Sequence, residues 1–206
     1  MQDPYRTTRF GLIRHAQTVW NREKKIQGHS DSPLTDAGIV QATRWGRILE
    51  QFSWNRLLAS DTGRALATAE IIGAYLKIPL TGDPRLREQD WGRWAGKTIA
   101  QLKAEQPLEL AEQTNAGWDF RPPDGEDRRS VLARSRAALQ DAFTRWPGEN
   151  ILVVTHEGVI KCLVYHLSGR QFLPSEPPLL KSYQLHRLIH DGDGLGLEAI
   201  NALALA

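Results

Sequence analysis

Two short apolar runs, each leading into a histidine, place the strongest constraint on how this chain folds. Residues 10–13 read FGLI and are followed by Arg14 and His15, and residues 151–154 read ILVV and are followed by Thr155 and His156. Such runs are typical of strands buried on both faces of a parallel sheet. In open α/β sheets, sites form beyond the carboxyl ends of the strands. The pattern therefore predicts that both histidines lie at one edge of a sheet.

Segments with helical spacing alternate with the apolar runs. Strands are predicted at 9–13, 57–59 and 151–155, with a strand pair at 183–189 and 195–200, and helices at 36–51, 63–76, 98–105, 129–146 and 159–167. This alternation predicts a single domain over residues 1–206, an α/β fold with three α/β/α layers and a mostly parallel central sheet. Residues 98–128 are interpreted as a cap or flap, because an irregular part of this segment carries Trp118, Phe120 and Arg121.

Composition excludes several classes of protein. The chain has 206 residues, of which 41% are hydrophobic and 24% charged, as is ordinary for a globular protein. A net charge of +2 without a basic run argues against a nucleic-acid partner. No apolar stretch is long enough for a membrane span, and the N-terminus lacks a signal region, so a cytoplasmic protein is expected. The single cysteine, Cys162, excludes an intrachain disulfide and is expected in the core.

Polar and charged residues near the predicted strand ends suggest chemistry on an anion. Arg14, His15, Ser60, Arg64, Glu88 and His156 all follow or flank these ends. A neutral histidine can attack a phosphoryl group, and guanidinium groups can neutralise the phosphoryl oxygens by bidentate contact. We therefore expect His15 to be a nucleophile, with Arg14, Arg64 and His156 on the phosphate. Glu88 could protonate the leaving oxygen and later deprotonate the attacking water.

In their order along the chain, these residues resemble the histidine phosphatases of the phosphoglycerate-mutase-like superfamily, from Leu12 to about Gly158. Each motif alone is a weak match, whereas the ordered set is a strong one. The matched motifs are residues 12–18 (LIRHAQT) with Trp20 and Asn21; Gln27 and Gly28; residues 33–35 (PLT) with Gly38; Ser60 and Asp61 with Arg64, Ala65, Thr68 and Ala69; Leu86 and Glu88 with residues 91–92 (WG) and 94–96 (WAG); residues 122–126 (PPDGE); and Thr155 with His156.

The resemblance implies that His15 becomes a transient phosphohistidine and that Glu88 is the proton donor and acceptor. It implies a phosphate pocket of Arg14, Arg64 and His156, and no metal or cofactor. Five further residues of the matched motifs are expected to bind substrate: Thr18, Asn21, Gln27, Gly28 and Thr155.

The sequence departs from the family pattern at several positions. Ala16 stands where glycine is usual, and alanine would be disfavoured if the backbone there needed a positive φ. Gln17 replaces a frequent glutamate, and Asp127 stands where serine is common. Glu157 follows His156 where glycine is common, so its carboxylate is expected to point away from the phosphate or to pair with a cation.

Three functions fit the motifs: a phosphomonoesterase, a phosphoglycerate mutase and a non-catalytic binder of phosphorylated ligands. Family mutases have a longer insertion between the acid and the second histidine, and a lysine where Ile99 stands here. Glu88 is followed by residues 89–91 (QDW), which differ from the mutase pattern. We therefore favour hydrolysis of a small organic phosphate, such as a sugar phosphate.

Further expectations concern partners and the cap. The edge of the sheet near residues 183–189 could pair in a homodimer. A contact between substrate and Trp118, Phe120 or Arg121 remains open. Lys97, Arg128 and Arg129 are interpreted as solvated residues, although each could bind a second anionic group.

Overall fold

The computed structural model describes residues 7–205, and within them six strands form one central sheet. The strands are β1 (Thr8–Arg14), β2 (Arg56–Ala59), β3 (Leu80–Gly82), β4 (Asn150–Thr155), β5 (Gln184–His190) and β6 (Leu195–Ala204). Their order is β3-β2-β4-β1-β5-β6. The first four strands in that order are parallel to one another. β5 pairs antiparallel with β1, and β6 pairs antiparallel with β5. The predicted mostly parallel sheet is confirmed.

Seven α-helices flank or extend this sheet in the described residues. They are α1 (Val19–Arg22), α2 (Asp36–Leu49), α3 (Gly63–Leu76), α4 (Ile99–Glu105), α5 (Pro107–Asn115), α6 (Arg128–Arg145) and α7 (Glu157–Leu167). Side-chain caps fix several of the helix starts. Thr35 accepts from the Gly38 amide at α2, and Thr98 accepts from the Gln101 amide at α4. None of these helices is long and apolar enough to cross a membrane.

The parallel strands are apolar on both faces, and this produces the three layers. In β4, Ile151 and Val153 pack in the cluster shared with α6 and α7, whereas Leu152 and Val154 pack in the cluster shared with α2 and α3. Alternate residues of a strand point to opposite faces, so one continuous apolar run supplies both layers.

Several local predictions were wrong. The predicted loop after β1 contains α1, and the segment before Trp118 contains α5. β5 lies between β1 and β6, so residues 183–189 do not form the edge proposed for a dimer.

Candidate active site

The carboxyl ends of β1 and β4 bring the two motif histidines together. Arg14 lies beside Thr155 in the parallel register, and the His15 amide donates to the Thr155 carbonyl at 2.9 Å. The ring centroids of His15 and His156 are 5.2 Å apart. The structure thus places both histidines at the predicted edge of the sheet.

The His15 ring is oriented by the backbone that follows it. Nδ1 lies 2.8 Å from the Ala16 carbonyl oxygen, which can only accept a hydrogen bond, so Nδ1 carries the proton. The neutral ring then has its lone pair on Nε2. Burial, together with the charges of Arg14 and Arg64, holds the pKa of His15 well below its usual value. His15 is therefore a neutral, oriented ring with an unprotonated Nε2 at neutral pH, as a nucleophile requires.

Arg64 lies in the first turn of α3 and is 1% exposed. Its terminal nitrogens donate to the carbonyls of Ser30 (2.9 Å) and Gly28 (2.8 Å) and to the carboxylate of Asp31 (3.1 Å). Burial nevertheless lowers the pKa of Arg64 from its usual value. These contacts hold the guanidinium group rigidly beside the histidines.

Three buried polar atoms of the site have no hydrogen-bond partner in the part of the chain that the structure describes: Nε of Arg14, Nε of Arg64 and Oε1 of Gln27. A buried polar atom without a partner costs about 1–3 kcal/mol. The two guanidinium Nε–H groups are donors of the kind that phosphoryl oxygens accept from. An oxyanion bound between them would offset this cost.

His156 is fully buried behind Arg64. Its Nδ1 accepts from an Arg64 terminal nitrogen at 3.3 Å, and its Nε2 donates to the Ser60 hydroxyl at 2.9 Å. Burial, followed by the charges of Arg64, His15 and Arg14, lowers the pKa of His156. With both ring nitrogens engaged, His156 orients Arg64, and it would donate to a phosphoryl oxygen only after gaining a proton on Nδ1.

Glu88 is held by the start of α7. Its carboxylate accepts from the Gln89 amide at 2.9 Å and from the Gly158 amide at 3.2 Å. A Cβ at position 158 would lie 2.2 Å from Glu88 Oε1, so only glycine lets the carboxylate approach the helix this closely. The sequence marked Gly158 only as part of a motif. Its role depends on a contact between residues 70 positions apart.

Arg134 fixes the backbone around Glu88 and was missed by sequence reasoning. Its guanidinium group donates to the carbonyls of Arg87 (2.6 Å) and Glu88 (3.0 Å), and it pairs with Glu126 at 2.7 Å. Arg134 lies on α6, in a stretch without any motif, so no local pattern identified it.

These residues surround a cleft of about 270 Å³. Predicted site residues that line the cleft are Arg14, His15, Asn21, Gln27, Gly28, Arg64 and Glu88. We call Arg14, His15, Arg64 and His156 the reaction end. Three predicted site residues do not line the cleft. His156 instead contacts Arg64, from which its Nδ1 accepts at 3.3 Å. Thr18 caps α1 by accepting from the Asn21 amide, and the Thr155 hydroxyl donates to the Leu86 carbonyl at 2.7 Å.

The departures from the family pattern are accommodated. Ala16 is not among the residues with positive φ, so alanine is not strained there. Glu157 pairs with Arg14 and Lys161, each at 2.7 Å, as expected for a carboxylate near an anion site. Gln17 accepts from the Thr35 hydroxyl, and Asp127 caps α6 through the Ser130 amide.

The aromatic residues that line the cleft are not the cap residues whose contact with substrate the sequence left open. Trp118, Phe120 and Arg121 do not line it, whereas Trp91, Arg128 and Phe172 do, and we call these three the distal wall. The interpretation of Arg128 as a solvated residue is wrong, because its guanidinium group lies between two aromatic rings. Cys162 also reaches the cleft, but burial raises the pKa of its thiol to about 12, which leaves it unreactive.

Comparison with known proteins identifies the family. A family model described as the histidine phosphatase superfamily (branch 1) matches residues 10–202. The chain belongs to this superfamily. Among residues 7–205, no group of three or more His, Cys, Asp or Glu side chains is arranged to hold a metal ion.

Related proteins carry both mutase and phosphatase names. A Salmonella arizonae protein named "Probable phosphoglycerate mutase GpmB" is 37% identical over 158 residues, which are 77% of this chain and 74% of that protein. The structure of Bacillus stearothermophilus YhfR is 34% identical, with a TM-score of 0.86 over 96% of this chain and 98% of the other. A mycobacterial glucosyl-3-phosphoglycerate phosphatase is 27% identical, with a TM-score of 0.82 over 96% and 99% of the two chains. This superfamily member is thus similar to enzymes of both types.

Proposed function

We propose that this superfamily member is a metal-independent phosphomonoesterase that hydrolyses a small organic phosphate through a phosphohistidine on His15. One observation carries the proposal. A neutral, buried His15 directs an unprotonated Nε2 away from its backbone contact, and the unpartnered Nε–H groups of Arg14 and Arg64 lie in the same site. A nucleophile beside preorganised donors is the arrangement that phosphoryl transfer requires.

In the first step, His15 Nε2 attacks the phosphorus atom, and the bond between phosphorus and the ester oxygen breaks. Arg14 and Arg64 donate to the phosphoryl oxygens while charge develops on them. The protonated carboxyl of Glu88 transfers its proton to the leaving oxygen, which departs as an alcohol. The products of this step are phospho-His15 and ionised Glu88.

In the second step, water attacks the phosphorus atom of phospho-His15. Glu88 removes a proton from this water, the bond between nitrogen and phosphorus breaks, and inorganic phosphate is released. The free His15 and the protonated Glu88 are restored. The amides of Gln89 and Gly158 hold the same carboxylate in place for both proton transfers.

The second candidate is a phosphoglycerate mutase, and it is favoured by the name of the 37% identical relatives. A mutase must keep the phosphorylated intermediate from water until the phosphoryl group returns to substrate. Hydrolysis is supported by Ile99, which stands where family mutases carry a lysine, and by the short interval between Glu88 and His156.

The test is phosphate release from a panel of phosphomonoesters, with isomer interconversion of 3-phosphoglycerate and its bisphosphate primer followed in parallel. Phosphate release that depends on His15, without interconversion, is expected. Interconversion would instead establish the mutase. The absence of both phosphate release and interconversion would contradict both enzymatic candidates on these substrates.

The remaining proposals concern partners. We propose a small phosphorylated substrate, no nucleic-acid partner, no membrane attachment and a cytoplasmic location, all from the composition and the motifs. A homodimer also remains a proposal, and the edges open to pairing are now β3 and β6.

A further inference from the structure

The proposed reaction makes no use of Arg128, although this residue lines the cleft. Its guanidinium carbon lies 4.2 Å from the ring centroid of Phe120 and 4.3 Å from that of Phe172. One terminal nitrogen donates to the Gly117 carbonyl at 2.7 Å. The group is therefore held between two rings, with donors remaining beyond the one that this carbonyl engages.

The charge of Arg128 is not balanced as the other charges of the cleft are. Each other cation that lines the cleft pairs with a carboxylate: Arg14 and Lys161 with Glu157, Lys25 with Glu23, and Arg64 with Asp31. Arg128 has no carboxylate within ion-pair distance among residues 7–205. It is thus a partly buried cation whose charge only an incoming group would neutralise.

One of the two rings that pack against Arg128 belongs to a residue with a disfavoured backbone conformation. Phe172 has a φ of +60°, which is disfavoured for a residue with a large side chain. Its ring is fixed by Trp118 at 4.7 Å and Tyr165 at 4.5 Å between centroids. These contacts hold the Phe172 ring where it packs against the guanidinium group of Arg128.

Burial weakens the solvation of this cation. It lowers the pKa of Arg128 to about 10, so the group is still charged at neutral pH but poorly solvated. Hydrogen bonds between a guanidinium group and a carboxylate or phosphate are among the stronger ones in proteins, particularly where water is excluded.

We propose that Arg128 binds a second anionic group of the substrate, a carboxylate or a further phosphate, and so selects phosphomonoesters that carry one. The inference rests on the proposed function and defines the substrate class of the same cleft. The reaction end receives the phosphoryl group that is transferred, and the distal wall receives the second anion. Trp91 and Phe172 supply the apolar sides between which the body of the substrate lies.

The test compares esters matched in shape but not in charge. One pair is 3-phosphoglycerate and glycerol 3-phosphate, and a longer pair is 4-carboxyphenyl phosphate and 4-carbamoylphenyl phosphate. For each pair, the ratio of the two kcat/KM values is measured in the wild type, in Arg128→Met and in Arg128→Lys. Arg129→Met is the matched control, because its neighbouring guanidinium group is exposed and pairs with Asp119 outside the cleft.

We expect the wild type to favour the anionic member of at least one pair. Arg128→Met should lower that ratio about tenfold to a hundredfold, mainly through KM, and Arg128→Lys should restore part of it. Arg129→Met should leave the ratio unchanged. A wild type without preference, or a ratio that survives Arg128→Met, would overturn the inference. The wild-type measurement decides even if Arg128→Met fails to fold.

Binding to His15→Ala separates this inference from the proposed function. Each ester is titrated into this variant with and without Arg128→Met, using calorimetry. A preference for the anionic member that depends on Arg128 supports the inference even if the wild type releases no phosphate. Phosphate release without such a preference supports the proposed function and removes the inference.

Discussion

The reaction end of the cleft is carried by strand ends and helix starts, whereas the distal wall is carried by connecting segments and the first residue of α6. Arg14 is the last residue of β1, His15 follows it, and Arg64 lies in the first turn of α3. Trp91 and Phe172 lie outside all helices and strands. The reaction end is therefore fixed by the sheet, which the apolar runs encode locally. The distal wall is fixed by contacts between distant segments, and it is where substrate preference can differ between proteins of the same fold.

The sharpest test of the reaction end is His15→Ala. Removing the proposed nucleophile would eliminate the proposed covalent route, so turnover should fall by about 10⁴-fold or more. Phosphate release and the thermal unfolding midpoint are measured together. His166→Ala is the control, because His166 is an exposed residue of α7 outside the cleft. Substantial turnover in His15→Ala with a folded chain would disprove the phosphohistidine route.

A smaller effect is expected from Glu88→Gln, which keeps the shape of the side chain but removes the transferable proton. Turnover of alkyl phosphates should fall about 10²- to 10⁴-fold. Nitrophenyl phosphate should be affected less in the first step, because its leaving group does not need a proton. Rates are compared between the two substrate types. Equal losses on both would argue against Glu88 as the acid.

Gly158→Ala tests whether the position of Glu88 depends on α7. The added Cβ would meet Glu88 Oε1 at 2.2 Å, so the carboxylate must move. Turnover of alkyl phosphates should fall about tenfold to a hundredfold, since small displacements of a catalytic group are costly. The helix should be as stable as before or more so, because alanine favours helix over glycine.

Gly82→Ala is the matched control for this substitution. Gly82 lies in β3, and the nearest atoms to its added Cβ would be 3.8 Å away. Activity should be unchanged in this variant. If Gly158→Ala also retained full activity, the contact with α7 would have no part in placing the acid.

The smallest expected effect is on the pH dependence of the free energy of unfolding, which should change in a variant of the reaction end but not in a variant of the distal wall. The native pKa of His15 is lowered, so below about pH 6.5 the unfolded chain takes up a proton that the folded chain does not. Stability from this group is therefore present above that pH and is lost as the pH falls, by at most about 1.4 kcal/mol per pH unit. The free energy of unfolding, measured by denaturant titration between pH 7 and 5, should fall less steeply in His15→Ala. Arg128→Met should keep the wild-type slope, and a common slope in all three proteins would contradict the pKa shift.

Much of the parallel core could be predicted because its signals are local. The apolar runs predicted β1 and β4, and helical spacing predicted the bounds of α3 at Gly63 and Leu76. α1 was missed because it has only four residues and is stabilised by a capping box between Thr18 and Asn21. α5 was missed because it buries none of its residues and so has no apolar stripe.

In the candidate site too, residues within local motifs could be predicted, whereas contacts between distant residues could not. The motif residues Arg14, His15 and Arg64 could be identified from their order along the chain. The buried contacts of Thr155 could not, because its hydroxyl bonds to Leu86, which lies 69 positions earlier. Arg128 was misjudged because nothing near it in sequence reveals that Phe172 packs against it.

The close approach of Gly158 to Glu88 couples the residue types that the two positions can carry. A side chain at 158 forces the carboxylate of a full-length glutamate at 88 to move, since both would occupy the same space. The shorter aspartate at 88 would withdraw the carboxylate by one methylene and open room for a methyl group. Substitutions at the two sites are therefore expected to be epistatic, with Glu88→Asp costing less activity in a Gly158→Ala background than in the wild type.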